Sequence, residues 1–115
     1  MIDSILTSIK KLLNISEEDS SFDIDLIIHI NSVFSILDQL GVGPDGGFSI
    51  EDNTAIWSDY TTDIYQLADI KSYVFLKVKL MFDPPTNSSI LQSIERSITE
   101  LEWRLNVAIE NKSDE

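Results

Sequence analysis

The chain of 115 residues contains no cysteine. That excludes a disulfide framework, a thiolate metal site and a cysteine nucleophile together. Its one histidine, His29, sits between Ile28 and Ile30. A single histidine without cysteine leaves too few soft ligands for a transition-metal site. No run of about 18 apolar residues occurs, so no transmembrane helix is expected. The N-terminus could be mistaken for a signal peptide. Lys10 and Lys11 follow its apolar residues instead of preceding them, however, and no small-residue cleavage site comes after. It is therefore read as part of the mature fold. The sharpest gap is in positive charge. From Leu12 to Ile70 there is no Lys or Arg, whereas Glu17, Glu18, Asp19, Asp23, Asp25, Asp38, Asp45, Glu51, Asp52, Asp59, Asp63 and Asp69 all fall there. Phosphate binding relies on Lys and Arg to displace counterions, so this half is unsuited to gripping nucleic acid. The formal net charge of −12 has two readings. It makes a repulsive, solvated surface, or a surface that DNA must pass without sticking.

What is present is ordinary for a globular chain, with 43% hydrophobic and 24% charged residues. The length suits one domain over residues 1–115, with about two-thirds of the unfolded surface buried. The periodicity predicts an all-α fold, a small bundle of about four helices. Ile2, Ile5, Leu6, Ile9, Leu12 and Leu13 fall on one helical face, predicting a first helix from Asp3 to Leu13. Asp3 in its first turn and Lys10 and Lys11 in its last suit the helix dipole. The polar, acidic stretch from Asn14 to Ser21 reads as a linker. A long central helix follows over Asp23–Leu40. Ile24, Ile27, Ile28, Phe34 and Leu37 define its stripe, and Leu26, Ile30 and Val33 widen it. A helix apolar on so much of its surface is contacted from several sides. Gly41 stands where a left-handed C-cap is expected.

All four glycines and Pro44 lie between Gly41 and Gly47, which predicts a Gly-rich loop. The following Phe48, Ile50, Ile56 and Trp57 allow a short extended or hairpin segment. Trp57 and Tyr60 are expected to cover the core beside the loop, with an interface role as the alternative. A third helix is predicted over Thr62–Phe82, where Asp83-Pro84-Pro85 stops it. Thr86 or Asn87 is the expected N-cap of a fourth helix over Ser88–Glu110. Leu91, Ile94, Ile98, Leu101, Leu105 and Ala108 form an a/d seam along it, so these two helices pair antiparallel. Glu100 and Arg104 are placed to pair at i, i+4. Residues 111–115 read as a frayed tail.

No constellation of residues carries enzymatic chemistry. His29 has no sequence-evident acid or nucleophile partner, and reads as a structural or interface residue. The acids Glu17, Glu18, Asp19, Asp23 and Asp25 lack the glycine and terminal glutamate of an EF-hand loop, and read as a solvated loop running into a helix N-terminus. The pair Asp59 and Asp63 is expected by chance in so acidic a chain. The glycine loop is followed by neither the lysine nor the helix start that a phosphate loop requires. No cofactor and no metal are expected.

The stretch Lys71-Ser72-Tyr73-Val74-Phe75-Leu76-Lys77-Val78-Lys79-Leu80-Met81-Phe82-Asp83-Pro84-Pro85 resembles the small head–tail connector family of tailed bacteriophages. Glu100-Leu101-Glu102-Trp103-Arg104-Leu105-Asn106 is similar to the final helix of the same family. Gln39-Leu40-Gly41-Val42-Gly43, Phe48-Ser49-Ile50 and Trp57-Ser58-Asp59 agree in the same order, so the resemblance covers nearly the whole chain. It implies a structural virion protein at the head–tail interface, put together in the host cytoplasm. Such a subunit docks beneath the portal protein in a closed ring of about twelve copies. The ring extends the DNA channel, through which DNA passes without specific binding, and carries a stopper or tail-completion protein. No membrane is involved. Ring closure needs two different complementary patches on each subunit. The candidate subunit-interface residues are Ile5, Ile9, Leu12, Lys71, Lys77, Lys79, Trp103 and Arg104. Glu17, Glu18, Asp19, Glu51, Asp52 and Asp59 are the candidate acidic channel or partner surface. A small acidic regulator, a DNA mimic or antitoxin-like binder of a basic protein, is the other reading that the charge allows.

Overall fold

The computed structural model describes residues 4–113. The expected parts of Ile2 and Asp3 in the first helix, and of residues 114–115 in the tail, lie outside the described residues. Five helices follow in order: α1 (Ile5–Leu12), α2 (Asp23–Gln39), α3 (Trp57–Tyr60), α4 (Ile64–Phe82) and α5 (Ser88–Ser113). The fold is an all-α bundle, with one short helix more than the periodicity predicted.

The helix ends follow from local chemistry. Ser4 caps α1, its Oγ accepting from the Thr7 backbone N–H at 3.2 Å. Asn14 then turns left-handed with φ 63°. The Asn14 and Ile15 amides bond back to the Lys11 and Lys10 carbonyls at 3.1 and 2.9 Å, which closes α1 in a Schellman motif. The same motif ends α2. Gly41 has φ 87°, and the Gly41 and Val42 amides reach the Asp38 and Leu37 carbonyls at 3.0 and 2.8 Å. Asp63 caps α4 through Tyr65 and Gln66, so α4 starts at Ile64, two residues later than predicted. Asn87, of the two expected candidates, caps α5 through the Ser89 and Ile90 amides at 2.8 and 3.2 Å. Helix α5 runs on through Ser113, past its expected end at Glu110.

Helix α4 is the spine, with α2 and α5 packed along it and α1 against α2. Phe22 at the start of α2 meets Phe82 at the end of α4, ring centroids 5.3 Å apart, so these helices run antiparallel. Asp69 near the start of α4 meets Arg104 near the end of α5 at 3.6 Å, as the Pro-Pro connection predicted. The seam of α5 is deepest at Ile98, Leu101 and Leu105; Ala108 is exposed.

The stripe of α2 differs from expectation. Leu26, Ile30, Val33, Phe34 and Leu37 are its buried residues, while Ile24 is 75% and Ile28 57% exposed. With apolar residues all round the helix, periodicity could not select the inward face. Packing on α4 and α1 selected it.

The segment from Gly41 to Ile56 is a loop and contains no strand; among the described residues its pairing is one isolated antiparallel bridge between Ser4 and Ile56. Its shape comes from side chains. Asn31 donates from Nδ2 to the Ile50 carbonyl at 2.9 Å and accepts from the Ile50 amide at 2.8 Å. The amide side chain thus satisfies both polar groups of one loop residue, as a neighbouring strand would. Trp57 and Tyr60 are buried as expected. Phe34 stands at the centre of their cluster, 5.0 Å from Phe48, 6.4 Å from Trp57 and 4.9 Å from Tyr60. Trp57 Nε1 donates to Ser8 Oγ at 2.9 Å, which ties α3 to α1.

Candidate assembly surfaces

A surface that joins other proteins is built from side chains the chain's own fold leaves unused. Ile5 and Ile9 do not qualify. Both are 0% exposed within the chain's own core, because α1 lays that face on α2 and the α3 segment. Leu12, one turn on, is exposed and stays available.

The acidic candidates separate into two groups at opposite ends of α1. Glu17, Glu18 and Asp19 lie in the α1–α2 connection, which is wrapped around a lysine. Lys10 is 3% exposed. Its Nζ donates to the Glu17 and Asp19 carbonyls at 3.1 and 2.7 Å and faces Asp23 Oδ1 at 2.9 Å. Two of its donors are thereby satisfied by carbonyls, and the Asp23 carboxylate balances its charge as an ion pair. The carboxylates of Glu17 and Glu18 are left pointing outward, both residues being exposed. Ser21 holds the Asp19 carboxyl below its usual value through its hydroxyl and its backbone N–H, with Lys10 adding a smaller pull. At the other end, Glu51 and Asp52 are exposed in the loop. The Thr54 hydroxyl and backbone N–H lower the Asp52 pKa. Asp59 accepts from the Ile56 amide at 3.1 Å and so caps α3.

The three lysines do not form one patch. At about 100° per residue, Lys77 and Lys79 lie roughly 120° and 80° round α4 from Lys71, on opposite sides. Lys71 Nζ stands 5.6 Å over the Trp57 ring, Lys77 Nζ 6.0 Å over the Tyr73 ring, and Lys79 meets Asp83 at 3.0 Å. Each cation is engaged within its own chain. Arg104 bonds Glu100 at 2.7 Å, as the spacing predicted, and also reaches Asp69.

Trp103 is 66% exposed. It lies about 160° from Leu101 round α5, opposite the buried seam, and borders a shallow groove lined by Gln92, Glu95, Arg96, Thr99 and Glu100. The residues that sequence reasoning missed are Ile24 and Ile28 on α2, and Ile64 and Tyr65 at the start of α4, all exposed. The hydrophobicity of Ile24 and Ile28 is visible in the sequence but reads there as part of the α2 stripe, and Ile64 and Tyr65 carry no periodic signal that singles them out. Exposed apolar residues gathered on a helix face mark interaction sites. His29 is half-buried, and among the described residues no cluster of three or more His, Asp or Glu is placed to hold a metal ion.

Comparison with known families gives these surfaces a context. The family model described as phage connector protein matches residues 5–112. The chain belongs to the phage connector protein family. This is a structural family of bacteriophage head–tail connectors, and its members stand between the head and the tail of the virion. No curated protein and no solved structure matched. In this phage connector the matched span takes in α1 to α4, α5 up to its last residue, and both acidic groups. Among its described residues, no helix is long and apolar enough to cross a membrane.

Proposed function

We propose that this phage connector is the single-domain subunit of a closed ring of about twelve copies beneath the portal. The ring extends the DNA channel, carries a stopper or tail-completion protein and performs no catalysis. Its subunits are made in the host cytoplasm and end in the virion. The family match over residues 5–112 carries this reading. The charge is consistent with it. Exposed Glu17, Glu18, Glu51 and Asp52 repel phosphate, and the stretch from Leu12 to Ile70 has no cation to bind it. A channel wall of this kind lets DNA pass without specific contacts. Leu12, Trp103 and Arg104 are the interface candidates that are exposed, and Lys71, Lys77 and Lys79 are partly so.

Native mass spectrometry of the chain, alone and with the portal protein of the same phage, tests the proposal. A closed ring near twelve subunits on the portal is expected. A monomer or dimer that ignores the portal and binds a basic DNA-binding protein instead would favour the acidic-regulator reading.

A further inference from the structure

Helices α2 and α5 each pack on α4, and each turns a second face away from it. On α2 that face carries Ile24 and Ile28, one turn apart, 75% and 57% exposed, with exposed Asp25 between them. It contains no cation, because the chain has no Lys or Arg between Leu12 and Ile70. On α5 the outer face carries Trp103 and, two turns before it, exposed Arg96. Glu100, four residues after Arg96, pairs with Arg104 instead, which leaves Arg96 outside every ion pair among the described residues. One face thus offers an aromatic anchor and a guanidinium outside the ion pairs, with the Glu95 carboxylate beside them, and the other offers two isoleucines and a carboxylate. Trp and Arg are the residue types that most often anchor interfaces.

We infer that the α5 face of one copy, through Trp103 and Arg96, docks on the α2 face of the next copy, through Ile24, Ile28 and Asp25. The inference rests on the connector reading and supplies its subunit contact. The occupant is a second copy because Arg96, the α5 guanidinium outside the ion pairs among the described residues, finds carboxylates and no cation along α2, and because both faces carry exposed apolar side chains. They cannot meet within one chain, since both point away from α4. A contact between two different faces is heterologous, and it propagates from copy to copy until it closes. Desolvated apolar contact supplies affinity, and the Arg96–Asp25 pair fixes register.

Mixing two crippled variants tests this directly. Trp103→Glu removes the α5 face and Ile28→Glu the α2 face, at exposed positions where helicity is expected to be kept. Each variant alone should remain a monomer at concentrations where the wild type assembles. Mixed, they retain one intact face each and should stop at a heterodimer of twice the 13.0 kDa subunit mass. In a second pair, Arg96→Glu should weaken assembly at least tenfold, and adding Asp25→Arg to the same chain should restore it. All samples are read with and without the portal protein. Variants that assemble like wild type, a mixture that stays monomeric, or a charge swap that restores nothing would overturn the inference. If wild type still forms rings on the portal in that case, the connector reading survives. A wild type that neither assembles nor binds the portal would overturn both.

Discussion

Lys10 of α1 holds Asp23 of α2 at 2.9 Å with only 3% of the lysine exposed. The same ammonium binds the Glu17 and Asp19 carbonyls, so one side chain joins two helices and shapes the acidic connection between them. A buried charge is tolerated only when it is paired and fully hydrogen-bonded. Lys10→Ala leaves a half-buried carboxylate and two carbonyls without a partner. The expected loss is about 3 kcal/mol, below the upper range for such pairs because Asp23 keeps some access to water. Asp23→Asn, which retains an acceptor, should cost less. Urea denaturation of the two variants compares them, and equal losses would place the effect elsewhere.

Asn31 and Ile50 give a second, independent prediction. Asn31→Ala removes both hydrogen bonds that fix the loop on α2 and should cost about 1–2 kcal/mol. Amide exchange should quicken at Ile50 while the middle of α4 stays protected. Asn31→Asp keeps an acceptor for the Ile50 amide but sets a carboxylate against its carbonyl, and should be no better than alanine. Uniform loss of protection would mean that the clamp serves the whole fold.

Gly43 lies under Tyr60 with φ 102°, and a Cβ there would stand 2.7 Å from the tyrosine ring. Gly43→Ala combines an unfavourable left-handed backbone with a clash against a buried ring. We expect a loss of about 2–3 kcal/mol. Gly46→Ala is the control. It shares the positive φ but meets no atom within 4 Å, so its cost should be the backbone strain alone. Calorimetric melting curves of the two variants separate the terms.

Tyr73 and Tyr60 predict an alkaline limit. Burial, and then the Glu102 carboxylate, push the Tyr73 phenol up to about 12, and burial followed by Asp38 raises Tyr60 further. A phenol whose folded pKa is raised stabilises the fold fully below its unfolded value of 10.0. That contribution is lost as pH rises through the folded value. Stability should therefore fall between pH 10 and about 12, with phenolate absorbance from these rings appearing together with loss of helicity. Ionisation of Tyr60 and Tyr73 below that window, with helicity intact, would contradict their burial.

Local chemistry was legible in the amino-acid sequence. The Gly41 cap, the Asp83-Pro84-Pro85 stop, the Asn87 cap, the α5 seam and the Glu100–Arg104 pair each depend on residues within a turn or two of one another. The all-α class and the cation-free half follow from the same kind of reading. Tertiary structure alone decided which face of α2 points inward, because a helix apolar on most sides has no unique stripe. It also buried Ile5 and Ile9 in the core, placed Lys10 among carbonyls seven and nine residues away, and spread the three lysines around α4. The short helix α3 and the loop before it take their form from Asn31, Ser8 and Phe34. Those residues are 19 or more positions distant at the Asn31 clamp and 49 at the Ser8 bond. Partners that far apart are brought together by the packing of the whole chain, and no spacing rule within a single element reports them.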